Sequence, residues 1–149
     1  MALRDLLWQL ATAFVGSLGF SILFHIRGGK LPVAALGGLL CWGFYLLVGR
    51  TLPVLVASLL AGCFAAAYGE LMARLFRAPA TLFVTPAVIP LVPGGSLYNF
   101  MYRVLSGDAA GAAPYGYETV NVALGVAIGI AVVTSLCNLL TLLHRRRTP

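Results

Sequence analysis

One apolar segment reads TPAVIPLVPGGSLY, at residues 85–98, and it cannot form a continuous helix. Pro90 and Pro93 lack the N–H group that a helix interior needs, and each crowds the carbonyl four residues earlier. Gly94 and Gly95 add backbone freedom at the same point. Irregular backbone is tolerated at membrane depth only where it is buried in protein or lines a water-filled cavity. The segment therefore predicts a helix broken at a Pro-x-x-Pro-Gly-Gly motif.

The composition on either side of this segment is that of a membrane protein. Hydrophobic residues make up 60% of the 149 residues and charged residues only 9%, whereas about a quarter of a soluble domain is charged. A span needs roughly 20 apolar residues. We therefore expect an all-α integral membrane protein, one transmembrane domain over residues 1–149 with about five helices. The spans are predicted at about 6–26, 31–49, 51–73, 80–105 and 119–143, with a polar loop at 106–118.

The basic residues predict the surroundings and the orientation of the chain. The net charge is +6, but the ten Lys and Arg lie in short gaps between apolar runs, which indicates a bilayer partner and no nucleic acid. One side of the membrane would receive Arg27, Lys30, Arg74, Arg77, Arg145, Arg146 and Arg147. The other side would receive Arg4, Arg50 and Arg103. Because Lys and Arg favour the cytoplasm, the carboxyl terminus is predicted inside and the amino terminus outside.

Small and polar residues at spacings of four predict where helices meet, because close approach in lipid needs small side chains. Two ridges are Ala61, Ala65 and Gly69, and Gly125 and Gly129. Two polar stripes are Gln9, Ala13, Ser17, Ser21 and His25, and Thr134, Asn138 and Thr141. We interpret most of these residues as helix contacts, with the lining of a polar pathway as the alternative. Glu70 and Arg74, one turn apart, are predicted to form an interfacial ion pair.

Beyond the break, a second helix would begin with Ser96 as its hydroxyl cap. Ser96, Asn99 and Arg103 would then share one face. The open N–H groups of Gly95, Ser96 and Leu97 would form a positive helix end that attracts a carboxylate, as discontinuous transporter helices do. The same residues are equally consistent with a structural kink in which Ser96 is a plain cap.

No arrangement of residues indicates an enzyme. The sequence has no P-loop and no glycine-framed nucleophile elbow. Cys41, Cys63 and Cys137 are isolated, and His25 and His144 lie at opposite ends of the chain without carboxylates at metal-ligand spacing. We therefore predict no catalytic residue, no metal and no cofactor.

Two motifs give the chain a resemblance to a known family. Residues 86–98 resemble the threonine/serine exporter family, in which a run like I-P-x-x-P-G followed by a Tyr is characteristic. Residues 69–79, GELMARLFRAP, also look like that family's approach to the motif. The similarity extends over essentially the whole chain, with five hydrophobic segments and a basic tail.

The resemblance implies a function, a partner and a location. The chain looks like the small subunit of a two-chain exporter in a bacterial cytoplasmic membrane. Its large subunit would have a soluble amino-terminal domain and five spans, so that the two halves form inverted repeats. The implied cargo is a small polar metabolite, either threonine or serine or a dicarboxylate such as succinate. Alternatives are a scaffold that does not transport and a small membrane enzyme acting on lipid.

The predicted substrate site combines both lines of reasoning. The resemblance implies the motif positions Pro90, Pro93, Gly94, Ser96 and Tyr98. Helix geometry and charge add Gly95, Asn99 and Arg103.

Overall fold

The computed structural model describes residues 3–147, and the side chains of residues 4–143. Helices account for nearly all of this part of the chain. The helices are α1 (Leu3–Leu23), α2 (Lys30–Val48), α3 (Val54–Phe76), α4 (Thr81–Val88), α5 (Gly94–Leu105) and α6 (Ala109–Arg147). A short 3-10 turn, Ile89–Leu91, follows α4. No strand occurs in this part of the chain, which confirms the all-α class.

Four helices, α1, α2, α3 and α6, are long and apolar enough to cross a membrane, among the residues that are described. The pair made by α4 with its 3-10 turn and α5 passes the same test together and is bent by 46°. The fourth segment is therefore broken at the predicted motif, between Leu91 and Gly94. Four to five candidate spans agree with the expected membrane fold.

The last helix begins earlier than the sequence suggested. Residues 106–118 were predicted as a polar loop, but this is wrong because α6 begins at Ala109. Asp108 caps the helix, since its Oδ1 accepts the Gly111 N–H at 2.9 Å. The alanines that follow have the highest helix propensity of any residue. At about 1.5 Å per residue, the 39 residues of α6 reach roughly 58 Å, well beyond about 30 Å of hydrocarbon.

Glycines bring α3 and α6 into backbone contact. A Cβ added at Gly125 would lie 2.6 Å from the carbonyl oxygen of Leu55, and one at Gly62 would lie 2.7 Å from that of Val126. A Cβ added at Gly129 would come closer still to the carbonyl oxygen of Leu59. The ridge of Gly125 and Gly129 is thus confirmed as a helix contact, and it packs on the Ser58 and Gly62 face of α3.

The second ridge lies on another face of α3. Ala61 and Ala65 are fully buried with Cys41 of α2, whose Sγ lies 3.4 Å from the Ala61 carbonyl oxygen. Gly69 packs directly on Val84 of α4. This confirms the predicted contact and makes α3 the central helix, between α6 on one side and α2 with α4 on the other.

The polar stripe of α1 is buried only in part. Ser17 and Ser21 have no exposed surface, and Ser17 fills the space that a side chain at Gly38 of α2 would need. His25, at the end of the stripe, is exposed. The stripe therefore serves as a contact between α1 and α2 at its centre.

The predicted pair between Glu70 and Arg74 is wrong. The ion pair found among the described side chains joins Arg103 to Asp108. Glu70 is partly exposed and Arg74 is exposed, and exposed pairs gain too little to hold two long side chains together.

Candidate functional site: the broken helix and its cavity

The break consists of one extended residue and one proline. Val92 has an extended backbone, and Pro93 stands at the cap position of α5, with no side-chain cap bond. Ser96 as the cap was therefore wrong. Since α5 begins at Gly94, directly after the proline, Ser96 already lies inside the first turn and cannot cap it.

Two N–H groups remain open at the start of α5. The Gly94 N–H donates to the Val92 carbonyl at 2.7 Å, and the Leu97 N–H donates to the Pro93 carbonyl at 3.0 Å. Leu97 thus drops out of the predicted set of open donors. Gly95 and Ser96 keep N–H groups without a backbone acceptor in the described part of the chain, and these form the positive end of the helix.

A cavity of about 220 Å³ lies beside this helix end. Four predicted site residues line it, namely Pro90, Pro93, Gly95 and Ser96. Trp42 and Tyr45 of α2 and Glu118 of α6 complete its polar and aromatic wall. The structure therefore brings half of the predicted residues together around one space.

The other four predicted residues do not line this cavity. Gly94 begins α5 with open space around it. The Tyr98 side chain is 68% exposed and stacks on Tyr102 at 6.4 Å between ring centroids. The Asn99 amide donates to the Gly95 carbonyl at 2.9 Å. The predicted face of Ser96, Asn99 and Arg103 does not converge on one point.

Arg103 is engaged at the opposite end of α5. It lies nine residues after Gly94, roughly 13 Å along the axis. Its Nη1 contacts Asp108 Oδ2 at 2.8 Å, and its guanidinium lies 5.3 Å from the Tyr115 ring centroid. The Gly111 N–H and then this guanidinium hold the pKa of Asp108 below its ordinary value. Arg103 thus stabilises the turn between α5 and α6.

Sequence reasoning missed Glu118, Trp42 and Tyr45. Glu118 was assigned to a loop, but it lies in α6, four residues before the buried Val122. The continuing spacing through Val122, Val126 and Gly129 was the signal that could have placed Glu118 on the inward face. Trp42 and Tyr45 lie in a wholly apolar run, where hydropathy does not distinguish a cavity wall from lipid contact.

A second cavity, of about 300 Å³, lies on the α1 side of the break. Gln9, Thr12 and Gly16 of α1 line it together with Ile89. Trp42 and Pro90 belong to the walls of both cavities. The break therefore lies between two cavities that share Trp42 and Pro90 as lining residues.

The chemistry of the first cavity suits a small polar molecule. It offers the Glu118 carboxylate, the Ser96 hydroxyl and two open N–H groups, and none of its lining residues is basic. Among the described residues, no three His, Cys, Asp or Glu side chains form a group that could hold a metal ion. The groups present can bind a ligand by charge and by hydrogen bonds.

Comparison with known proteins bears on this site. A family model described as "Threonine/Serine exporter, ThrE" matches residues 9–136, a range that contains both cavities and the break. A search of curated proteins gave no match, and neither did a search of solved structures.

Proposed function

The chain belongs to the threonine/serine exporter family, a family of membrane transporters and not of enzymes, and from this premise we propose that it is one subunit of a secondary exporter for a small polar metabolite. The observation that carries the proposal is the cavity of about 220 Å³ at the broken helix. Discontinuous helices with open N–H groups at a cavity are a recurrent plan for substrate sites in transporters.

The proposed cargo carries at least one carboxylate. Gly95 and Ser96 line the cavity, their N–H groups are open at the positive end of α5, and such ends favour anions. A threonine-type or serine-type amino acid and a dicarboxylate such as succinate both satisfy this requirement.

A separate large subunit is the proposed partner, and the surface of α5 supports it. No residue of α5 is buried, and Leu97, Tyr98 and Met101 are exposed. Asn138 is also exposed, within the apolar part of α6. An amide facing lipid is costly, because the bilayer offers it no hydrogen bond. A second membrane subunit would cover these surfaces.

The proposed location is a bacterial cytoplasmic membrane, with the amino terminus outside and the carboxyl terminus inside. The bias of basic residues supports this orientation, although Arg145, Arg146 and Arg147 lie outside the described side chains. The bend of 46° between α4 and α5 changes the direction of the chain without reversing it, which supports five crossings.

Substituting Gly95 tests the proposal. A Cβ at Gly95 meets nothing within 4 Å, so Gly95→Leu should fold normally while it adds bulk at the cavity wall. We expect cells that express the chain with its large subunit to lose efflux of L-threonine or succinate. Gly19→Leu is the matched control, because Gly19 is equally open and lies on the exposed face of α1.

Both variants should be compared at equal abundance of the complex in the membrane. Normal efflux by Gly95→Leu would contradict a transport site in this cavity and favour a scaffold role. Efflux by the chain without any second subunit would contradict the proposed partnership.

A further inference from the structure

The position of Glu118 in the cavity wall bears on which chemical group the cargo carries besides a carboxylate. Glu118 is partly buried on the inward face of α6, one turn before the buried Val122, and both residues line the cavity at the break. Its carboxylate is the one charged group among the residues that line this space. Gly95 and Ser96 belong to the same wall.

Among the described side chains, no basic group forms an ion pair with Glu118. The ion pair within the described side chains joins Arg103 to Asp108, at the other end of α5. A partly buried carboxylate attracts a cation more strongly than an exposed one, because less water screens the two charges. Glu118 is therefore available to a cation that enters the cavity.

The aromatic wall adds to the attraction for a cation. Trp42 and Tyr45 line the same space, with ring centroids 5.4 Å apart. Aromatic faces attract ammonium groups, and most strongly where water is excluded. Carboxylate and aromatic rings on one wall are a suitable receptor for a primary ammonium.

We propose that Glu118 recognises the ammonium group of the substrate and so selects a zwitterionic amino acid over a dicarboxylate. This inference rests on the proposed function. The substrate carboxylate would lie at the Gly95 and Ser96 N–H groups and its ammonium at Glu118. A dicarboxylate would instead bring a second negative charge towards Glu118, with no basic residue in the wall to offset it.

The test is transport by the complex of the chain and its large subunit in liposomes, with L-threonine and succinate as substrates. Glu118→Gln keeps the shape of the side chain and removes its charge. We expect KM for threonine to rise about 10- to 100-fold, the loss of a charge-assisted hydrogen bond. KM for succinate should stay the same or fall. Competition by 3-hydroxybutyrate, which is threonine without its ammonium, should not weaken.

Two further variants separate recognition from structure. Glu118→Asp keeps the charge and should retain part of the preference for threonine. Glu70→Gln makes the same chemical change on α3, outside the cavity, and should transport both substrates as the wild type does.

The outcomes distinguish this inference from the proposed function. Equal loss of both substrates in Glu118→Gln, or no change in either, would overturn the ammonium site while leaving an exporter in place. A wild-type complex that moves succinate but not threonine would do the same. A wild-type complex that moves neither would overturn the proposed function itself.

Discussion

Single glycines determine how closely α3 and α6 can approach. At Gly125 the nearest atoms to an added Cβ belong to the backbone of Leu55 and to Ser58, which cannot swing aside as a flexible side chain can. At Gly19 an added Cβ meets nothing within 4 Å. The same substitution at these two positions should therefore change stability in opposite directions.

We predict that Gly125→Ala destabilises the protein by about 1–3 kcal/mol, because α6 must move away from α3. Gly19→Ala should stabilise α1 by about 0.5–1 kcal/mol, since alanine loses less backbone entropy in a helix. Thermal unfolding in a mild detergent measures both changes. A Gly125→Ala variant as stable as Gly19→Ala would show that α3 and α6 do not pack backbone to backbone.

Residue types predicted some of these positions and not others. Gly125 and Gly129 were recognisable as contacts because lipid gives helices few other reasons to carry glycine. The face of α3 that they contact could not be predicted. Ala61 and Gly62 are neighbours and both small, so either could have been the contact residue. The cap of α5 was predicted at Ser96 but lies at Pro93, three residues earlier, because the cap position depends on where the helix begins.

At the scale of elements, the sequence predicted the broken segment but not the start of α6, the helix that follows it. Pro90 and Pro93 determine their own local conformation, so the break follows from the sequence. The start of α6 depends on Asp108 and on packing against α5, where a side chain at Gly116 would collide with the Phe100 ring. Glu118 was predicted to lie in a loop because the local composition contains no information about such contacts between helices.

Labelling of introduced cysteines tests whether the broken helix crosses the membrane. With the three native cysteines replaced by alanine, Ser106→Cys follows α5 and Ala78→Cys precedes α4. We expect a thiol reagent that cannot cross membranes to label Ser106→Cys in intact cells. Ala78→Cys should be labelled only after the membrane is opened. Labelling of both from the same side would mean that the segment is re-entrant.

For the molecule as a whole, the break lies between two cavities. One opens between α1 and α2, the other between α2 and α6, and the Trp42 side chain and Pro90 belong to both walls. Hydropathy predicted the membrane class and the helices. The cavities arise from the way that α1, α2, α6 and the break pack together, which no single segment encodes.

Protection of Ser96 by substrate tests the central claim most directly. In the complex with its large subunit, with the native cysteines replaced, Ser96→Cys should react with a small thiol reagent from within the cavity. Ser106→Cys, which follows the end of α5 and is exposed, should react outside the cavity. We predict that L-threonine at ten times its KM slows the reaction of Ser96→Cys about tenfold and leaves Ser106→Cys unchanged. Equal reaction rates of Ser96→Cys with and without threonine, in a complex that still exports threonine, would contradict a substrate site at the broken helix.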